Sequence, residues 1–298
     1  MERPDIAGQG AVLIVGAQGQ LGREITRCLQ SDNTGNPGCL PVDRDVLDIT
    51  QKGAVQAYCR AARPRAIINC AAYTDVDKAE KEAGKAFAVN KQGAKNLAEA
   101  AADLDIPLVH ISTDYVFDGT KPGMYTEDDQ PNPIGVYGQS KLAGEKAVFE
   151  VHDKSVVIRT GWLYSRHGTN FVKTILGAAE KRAYLRVVAD QVGTPTYAAV
   201  LAEAIVQMLP VIDKGYGHIF HYANEGVASW YDLAVATIAF SGISCTITPV
   251  ETSQYPTSAM RPAYSVLNKK KIKSAFGLSI SHWTDALNSF LGRTSPTT

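Results

Sequence analysis

The sequence predicts a doubly wound α/β fold, with a Rossmann-type parallel sheet followed by a smaller mixed α/β lobe. Three observations carry that expectation. An apolar run, Ala11-Val12-Leu13-Ile14-Val15, enters a turn with glycines at three-residue spacing, Gly16, Gly19 and Gly22, and a helix follows. Further short apolar runs alternate with helical stretches as far as residue 160, the pattern of parallel strands joined by crossover helices. Beyond residue 160 helices and brief apolar runs follow in no fixed order. The expected division is therefore 11–160 for a dinucleotide-binding unit and 161–298 for a mainly substrate-binding lobe, with the chain re-entering the first sheet in part and a cleft between the two.

Each element has a local reason. The glycines let the first turn tighten and bring backbone N–H groups close to a pyrophosphate, and the helix over residues 21–30 adds a favourable dipole. The second strand, near 39–42, ends in Asp43-Arg44, and an acid there is placed for the adenosine ribose hydroxyls. Asp48-Ile49-Thr50 follows, with Thr50 the expected N-cap of a helix over 51–62. A third strand over 66–70 leads into Ala71-Ala72-Tyr73, and a helical stretch runs from 78 through Asn90 to 103. The apolar run 107–111 delivers Ser112 and Thr113 at a strand end. A long loop with Pro122, Pro131 and Pro133 then leads to a helix opened by Tyr137, and its length marks it as functional. A fifth strand covers 155–159. Later helices are expected near 170–182, 197–209, 230–240 and 283–291, and short strands near 185–188, 219–222 and 246–250. On the helix from Tyr197, residues Tyr197, Leu201, Ile205 and Met208 share one face and read as core.

Composition excludes several classes. The chain of 298 residues is 45% hydrophobic, so a large core is available. Its formal net charge of +0 argues against a nucleic-acid partner. Lys269-Lys270-Lys271 is the only basic run and reads as a solvated helix face. No apolar segment is long enough to span a membrane. Residues 1–10 are polar, without the apolar region of a secretory leader, and read as a disordered lead-in. The five cysteines are odd in number and contain no Cys-x-x-Cys, which fits a reduced, cytoplasmic protein. The six histidines form no metal-binding pattern, and His218 and His221 would face opposite sides of a strand, so no metal is expected.

The chemistry centres on Thr113, Tyr137 and Lys141. Residues four apart on a helix lie on one face, so the Tyr137 hydroxyl and the Lys141 ammonium can share a site. The cation is expected to lower the phenol pKa and make Tyr137 a proton donor or acceptor, while Thr113 holds a substrate oxygen. With 13 tyrosines in the chain the spacing alone decides nothing; the strand-end hydroxyl upstream and the glycine turn at the start give it weight.

With these residues in hand, the chain resembles the extended short-chain dehydrogenase/reductases and, more closely, the dTDP-4-dehydrorhamnose reductase family. The resemblance covers nearly the whole chain after residue 10. It rests on the glycine turn, Asn69-Cys70-Ala71-Ala72-Tyr73-Thr74-Asp75-Val76-Asp77-Lys78-Ala79-Glu80, Ser112-Thr113-Asp114-Tyr115-Val116-Phe117 and Tyr137-Gly138-Gln139-Ser140-Lys141-Leu142-Ala143-Gly144-Glu145. More family-specific are Arg159-Thr160-Gly161-Trp162-Leu163-Tyr164, Asn170-Phe171, Asp190-Gln191-Val192-Gly193-Thr194-Pro195-Thr196 and Arg261-Pro262.

The resemblance implies an oxidoreductase that uses NADPH or NADH to reduce the C4 ketone of a dTDP-linked 4-keto-6-deoxyhexose, a precursor of surface polysaccharide. Thr113, Tyr137 and Lys141 would be catalytic. Gly16, Gln18, Gly19, Gln20, Leu21 and Gly22 would hold the cofactor diphosphate, with Asp43, Arg44, Asp48 and Ile49 at the adenosine end. Ala71, Ala72, Tyr73 and Asn90 would join Tyr137 and Lys141 along the rest of the cofactor. Val76, Thr113, Asp114, Tyr115 and Trp162 would line the sugar pocket, with Asn170 and Arg261 towards the nucleotide diphosphate. Trp162 as mere core and Arg261 as a surface ion pair are the plainer alternatives. Related 4,6-dehydratases carry Asp-Glu after the strand-end threonine; Asp114-Tyr115 stands here, which favours simple carbonyl reduction. Some members dimerise through a metal held by C-terminal acids. Residues 291–298 contain no acid, so that metal is not carried over, although a homodimer stays open. Two other readings also stay open: a reductase or epimerase for another nucleotide-linked 4-keto-6-deoxy sugar, and a non-catalytic regulatory subunit like that of methionine adenosyltransferase.

Overall fold

The computed structural model describes residues 10–31, 38–212 and 217–292. The lead-in expected at the start and most of the acid-free tail lie outside them. Five parallel strands, β1 (Val12–Val15), β2 (Cys39–Val42), β3 (Ala66–Asn69), β4 (Leu108–Thr113) and β5 (Val156–Thr160), form the body of the sheet. Between them run α1 (Gln20–Ser31), α2 (Lys52–Ala62), α3 (Val76–Ala79), α4 (Ala83–Phe87), α5 (Ala94–Leu104) and α6 (Val136–Phe149). The second half contributes α7 (Phe171–Ala179), α8 (Ala198–Ile212), α9 (Trp230–Ser241), α10 (Lys270–Phe276) and α11 (Trp283–Phe290). Its strands are β6 (Leu163–Tyr164), β7 (Tyr184–Val188), β8 (Val192–Gly193), β9 (Thr196–Tyr197), β10 (His218–His221), β11 (Ala228–Ser229) and β12 (Thr246–Val250).

The main sheet has the order β10-β5-β4-β3-β1-β2, with every pairing parallel. Thus β10, from far along the chain, completes a sheet that the first half begins. Both faces are covered, so the strands read as continuous apolar runs. Alternation sends Val12 and Ile14 to one face, against Leu21 and Ile25 of α1 and Leu201, Ile205 and Met208 of α8. Leu13 and Val15 go to the other, against Val55 and Cys59 of α2 and Leu97 and Ala101 of α5. Each fully buried Leu or Ile stabilises the fold by about 1.5–3 kcal/mol. Because β1 is flanked by β2 on one side and β3 on the other, the connections diverge there and open a crevice at the carboxyl ends of β1 and β3. The second lobe pairs β7 with β12 and β6 with β9 in parallel, and β8 with β11 antiparallel.

Three local expectations are corrected. Thr50 does not cap α2: its hydroxyl donates to Asp48 Oδ1 at 2.7 Å, and Gln51 precedes the helix without a side-chain cap. Asp48 accepts the Thr50 N–H as well, so a local turn has taken the capping hydroxyl. The helical stretch from 78 to 103 is broken into α3, α4, a π-helical turn over Ala88–Gly93 and α5; such turns gather at functional sites, and this one carries Asn90. Lys269 is not solvated: it is buried, and its ammonium lies 3.3 Å from Glu225. Among the described residues no helix is long and apolar enough to cross a membrane.

Two buried histidines make stability depend on pH. Burial holds His110 well below the usual imidazole range and pushes His221 down to about 3. The unfolded chain protonates both near pH 6.5 and the folded chain does not, so each loses about 1.4 kcal/mol of stability per pH unit below that point. Asp114 acts in the opposite sense: burial raises its carboxyl to about 6, so the fold takes up its proton before the unfolded chain does. Glu127, also raised by burial, works with Asp114, but both imidazoles lose stability from about pH 6.5 downward, and the melting temperature is expected to fall from pH 7 to pH 5. Thermal melts across that range check it; an unchanged or rising midpoint contradicts it.

Candidate active site

The crevice is a cavity of about 750 Å³ lined from the carboxyl ends of β1, β3 and β4 and the start of α6. Its floor is the glycine turn. Gly16 adopts φ +75, and a Cβ there would sit 2.6 Å from the Ala71 nitrogen; one at Gly22 would sit 2.3 Å from the Gly16 carbonyl. Only glycine lets β1, α1 and the β3 end meet so closely. Gln20, Leu21 and Gly22 line the cavity in the first turn of α1, where helix N–H groups have no intrahelical acceptor and the dipole is positive. This cradle fits the diphosphate of a dinucleotide. At the adenosine end, Asp43 accepts the N–H groups of Gln18 (2.9 Å) and Arg44 (2.8 Å). The carboxylate keeps spare lone pairs for hydroxyls. The Arg44 guanidinium is largely exposed, 3.7 Å from Asp48, and Asp48 and Ile49 line the same wall.

Thr113, the last residue of β4, and Tyr137 and Lys141, on one face of α6, all open into this cavity. The Thr113 hydroxyl donates to Asp114 Oδ1 at 3.2 Å and accepts the Tyr115 N–H at 3.2 Å, and Thr113 pulls the Tyr137 phenol pKa downward. Burial pushes the Tyr137 phenol up to about 12 against the pull of Thr113, and pushes Lys141 down to about 8 against the Glu145 carboxylate. The expectation that Lys141 lowers the phenol pKa is thus corrected. In this structure the ammonium donates to the Ile111 carbonyl at 2.5 Å, and burial is the largest influence on Tyr137. Ser265 and Thr113 both lower the Asp114 pKa against its burial, and the Tyr115 ring stands edge-on to Tyr137 at 5.7 Å.

Other predicted residues serve the walls. Ala71, Ala72, Tyr73 and Val76 line the cavity. Asn90 does not: it is buried, accepts the Tyr73 N–H (2.8 Å), and donates to the Tyr73 carbonyl (3.1 Å) and Ser140 (2.9 Å), bracing the β3 end against α6. Asn170 is likewise outside the lining. It caps α7 and donates to Gln20 Oε1 (3.0 Å) and the Ser165 carbonyl (2.8 Å), tying the glycine turn to the second lobe. Arg261 pairs with Asp77 at 2.6 Å and donates to the Ala259 carbonyl at 3.2 Å, outside the cavity lining.

The family described as "RmlD substrate binding domain" matches residues 10–295. The chain belongs to that family. It is 43% identical over 286 residues to the dTDP-4-dehydrorhamnose reductase of Aggregatibacter actinomycetemcomitans, covering 93% of this chain and 96% of that protein. It is 39% identical over 277 residues to the dTDP-4-keto-6-deoxy-D-glucose reductase of Streptomyces niveus, covering 92% and 94%. The crystal structure of dTDP-4-dehydrorhamnose reductase from Bacillus anthracis, in complex with NADP, superposes with a TM-score of 0.89 at 39% identity, covering 95% of this chain and 98% of that one.

In this member of the RmlD family the cavity brings the predicted Trp162 beside Trp230, a residue that sequence reasoning missed as a site. Trp162 lines the cavity in a left-handed conformation, φ +51, which costs about 1–2 kcal/mol, and its indole stacks on Trp230 at 3.5 Å and 1°. Trp230 lines the cavity too. It opens α9 behind a capping box of Ser229 and Asp232; that Ser-x-x-Asp pattern was visible in the sequence and locates the helix start, though not what its first residue faces.

Proposed function

We infer that the protein reduces the C4 ketone of dTDP-4-dehydro-L-rhamnose to dTDP-L-rhamnose with NAD(P)H. The observation that carries this reading is the convergence of Thr113, Tyr137 and Lys141 on the cavity of the glycine cradle, in a chain alike along its length to dTDP-4-dehydrorhamnose reductases. When bound, the nicotinamide supplies the hydride that reduces the ketone carbon. Tyr137, still protonated at neutral pH with a phenol near 12, gives its hydroxyl proton to the oxygen as negative charge develops there. Thr113 orients that phenol and hydrogen-bonds the same oxygen. Lys141 supplies the cation beneath them. Trp162 and Trp230 form an apolar wall that excludes water from the sugar. Arg261, already paired with Asp77, supports the side facing the diphosphate, and Asn170 acts on the cofactor end through Gln20. The thiols support a cytoplasmic location, since among the described residues no two cysteines form a disulfide. The test is NAD(P)H oxidation with dTDP-4-dehydro-L-rhamnose and identification of the product by NMR. Turnover only with a different 4-keto sugar would move the assignment to that substrate, and no turnover with any would remove it.

Cofactor choice follows from Asp43 and Arg44. The Asp43 carboxylate repels a 2′-phosphate, whereas the exposed Arg44 guanidinium can swing over it and pair. A charge-assisted hydrogen bond contributes about 1.5–3 kcal/mol and the repulsion is of similar size. Both cofactors are therefore expected to work, with kcat/KM within about 100-fold of each other. Arg44→Ala is expected to weaken NADPH about 10–100-fold and leave NADH nearly untouched, as steady-state kinetics with each cofactor would reveal. Equal losses for both would mean that Arg44 does not read the 2′ position.

A further inference from the structure

Helix α6 carries both Tyr137 and Lys141, yet it has no local cap. Its N-cap residue is Gly135, which offers no side chain, and Tyr137 sits only one residue inside the first turn, where helices fray. The missing acceptor comes from a distant segment. Glu80, at the end of α3, reaches across and accepts the Val136 N–H at 2.9 Å. The fit is close: a Cβ at position 135 would lie 3.0 Å from that carboxylate oxygen. The same short segment is anchored elsewhere. Asp77 accepts the Ala259 N–H at 2.9 Å and pairs with Arg261 at 2.6 Å, which ties the segment to the second half of the chain. Val76, next to Asp77 at the start of α3, lines the cavity.

We propose that Glu80 is a positioning residue for the Tyr137 proton donor, its carboxylate serving as the N-cap that α6 does not encode for itself. The carboxylate satisfies an orphan N–H and complements the positive end of the helix dipole. By fixing the first turn it fixes where the phenol points. A misplacement of about 1 Å in a reacting group can cost about 100-fold in rate, so the cap acts on turnover more than on binding. The inference rests on the reading of Tyr137 as the donor.

The test compares Glu80→Ala, Glu80→Asp and Glu80→Gln. Alanine removes the acceptor, aspartate keeps the charge but falls short of the Val136 N–H, and glutamine keeps a reaching oxygen. Expected are losses in kcat of about 10–100-fold for Ala and Asp, cofactor KM within about twofold, and recovery by Gln to within about threefold of the unaltered protein. Should Glu80→Ala fail to fold, the Asp and Gln pair decides. His282→Ala, which removes the cap of α11 far from the cavity, controls for general loss of stability and is expected to keep kcat. Full turnover in Glu80→Asp, a glutamine variant no better than aspartate, or equal losses in His282→Ala would each overturn the proposal. If Tyr137→Phe is inactive while the Glu80 variants are fully active, this inference alone fails. If Tyr137→Phe is active, the reading beneath it fails.

Discussion

Tyr137→Phe is expected to lower kcat by about 10²–10⁴-fold, the range of general acid–base catalysis, while the cofactor KM stays nearly constant. The substitution removes one oxygen and leaves the ring, so the edge contact with Tyr115 and the packing of α6 persist. What is lost is the phenol proton aimed at the substrate oxygen. Thr113 remains, but its hydroxyl is shared with Asp114 at 3.2 Å and is a poor acid. Burial, which pushes the phenol up to about 12, also means that water does not readily replace it. Steady-state kinetics of the variant, with circular dichroism to show the fold intact, is the check. A variant keeping more than about a third of the activity would remove Tyr137 from the reaction.

The largest effect on stability is expected at Arg159. Its guanidinium is 1% exposed and paired with Glu145, 2% exposed, through contacts of 2.7 and 3.0 Å; Ser112 adds a hydrogen bond to the same carboxylate at 2.5 Å. Arg159→Met strands a buried carboxylate, which costs about 3–5 kcal/mol, or a drop of about 10 °C in melting temperature for a chain of this size. The double variant Arg159→Met with Glu145→Leu removes both charges and is expected to recover most of that loss, since an apolar replacement of a buried pair is often neutral. A double-mutant cycle by thermal melting decides. If the single substitution costs under 1 kcal/mol or so, or if the double is as unstable as the sum of its parts, the pair is not what holds β5 to α6. Glu145 also supports the charge on Lys141, so the rescued double is expected to stay folded yet lose turnover.

Features encoded locally were legible in the sequence. The strands announced themselves as apolar runs, the cofactor cradle as glycine spacing, and Tyr137 and Lys141 as a pair on one helix face. Features made by contacts between distant segments were not. Nothing near Arg159 signals Glu145, nothing near Gly135 signals Glu80, and Trp230 lies far along the chain from the tryptophan it stacks on. Spacing gave the neighbours of Tyr137 but not its burial, and so the expected direction of its pKa was wrong. Thr50 failed as a cap because both its N–H and its hydroxyl turn back to the Asp48 carboxylate, a local turn that cap propensity alone does not foresee.

The late arrival of β10 has a consequence for how the protein is made. Val156, Val157 and Ile158 of β5 pair with His218, Ile219 and Phe220. Until the ribosome has released that later stretch, β5 is the bare margin of a parallel sheet, apolar and with its backbone groups unanswered. Such margins recruit other strands, and parallel pairings between distant segments close slowly. A nascent chain paused before residue 218 would therefore be a substrate for chaperones and a seed for aggregation, and a fragment ending after β5 would inherit the same open flank permanently.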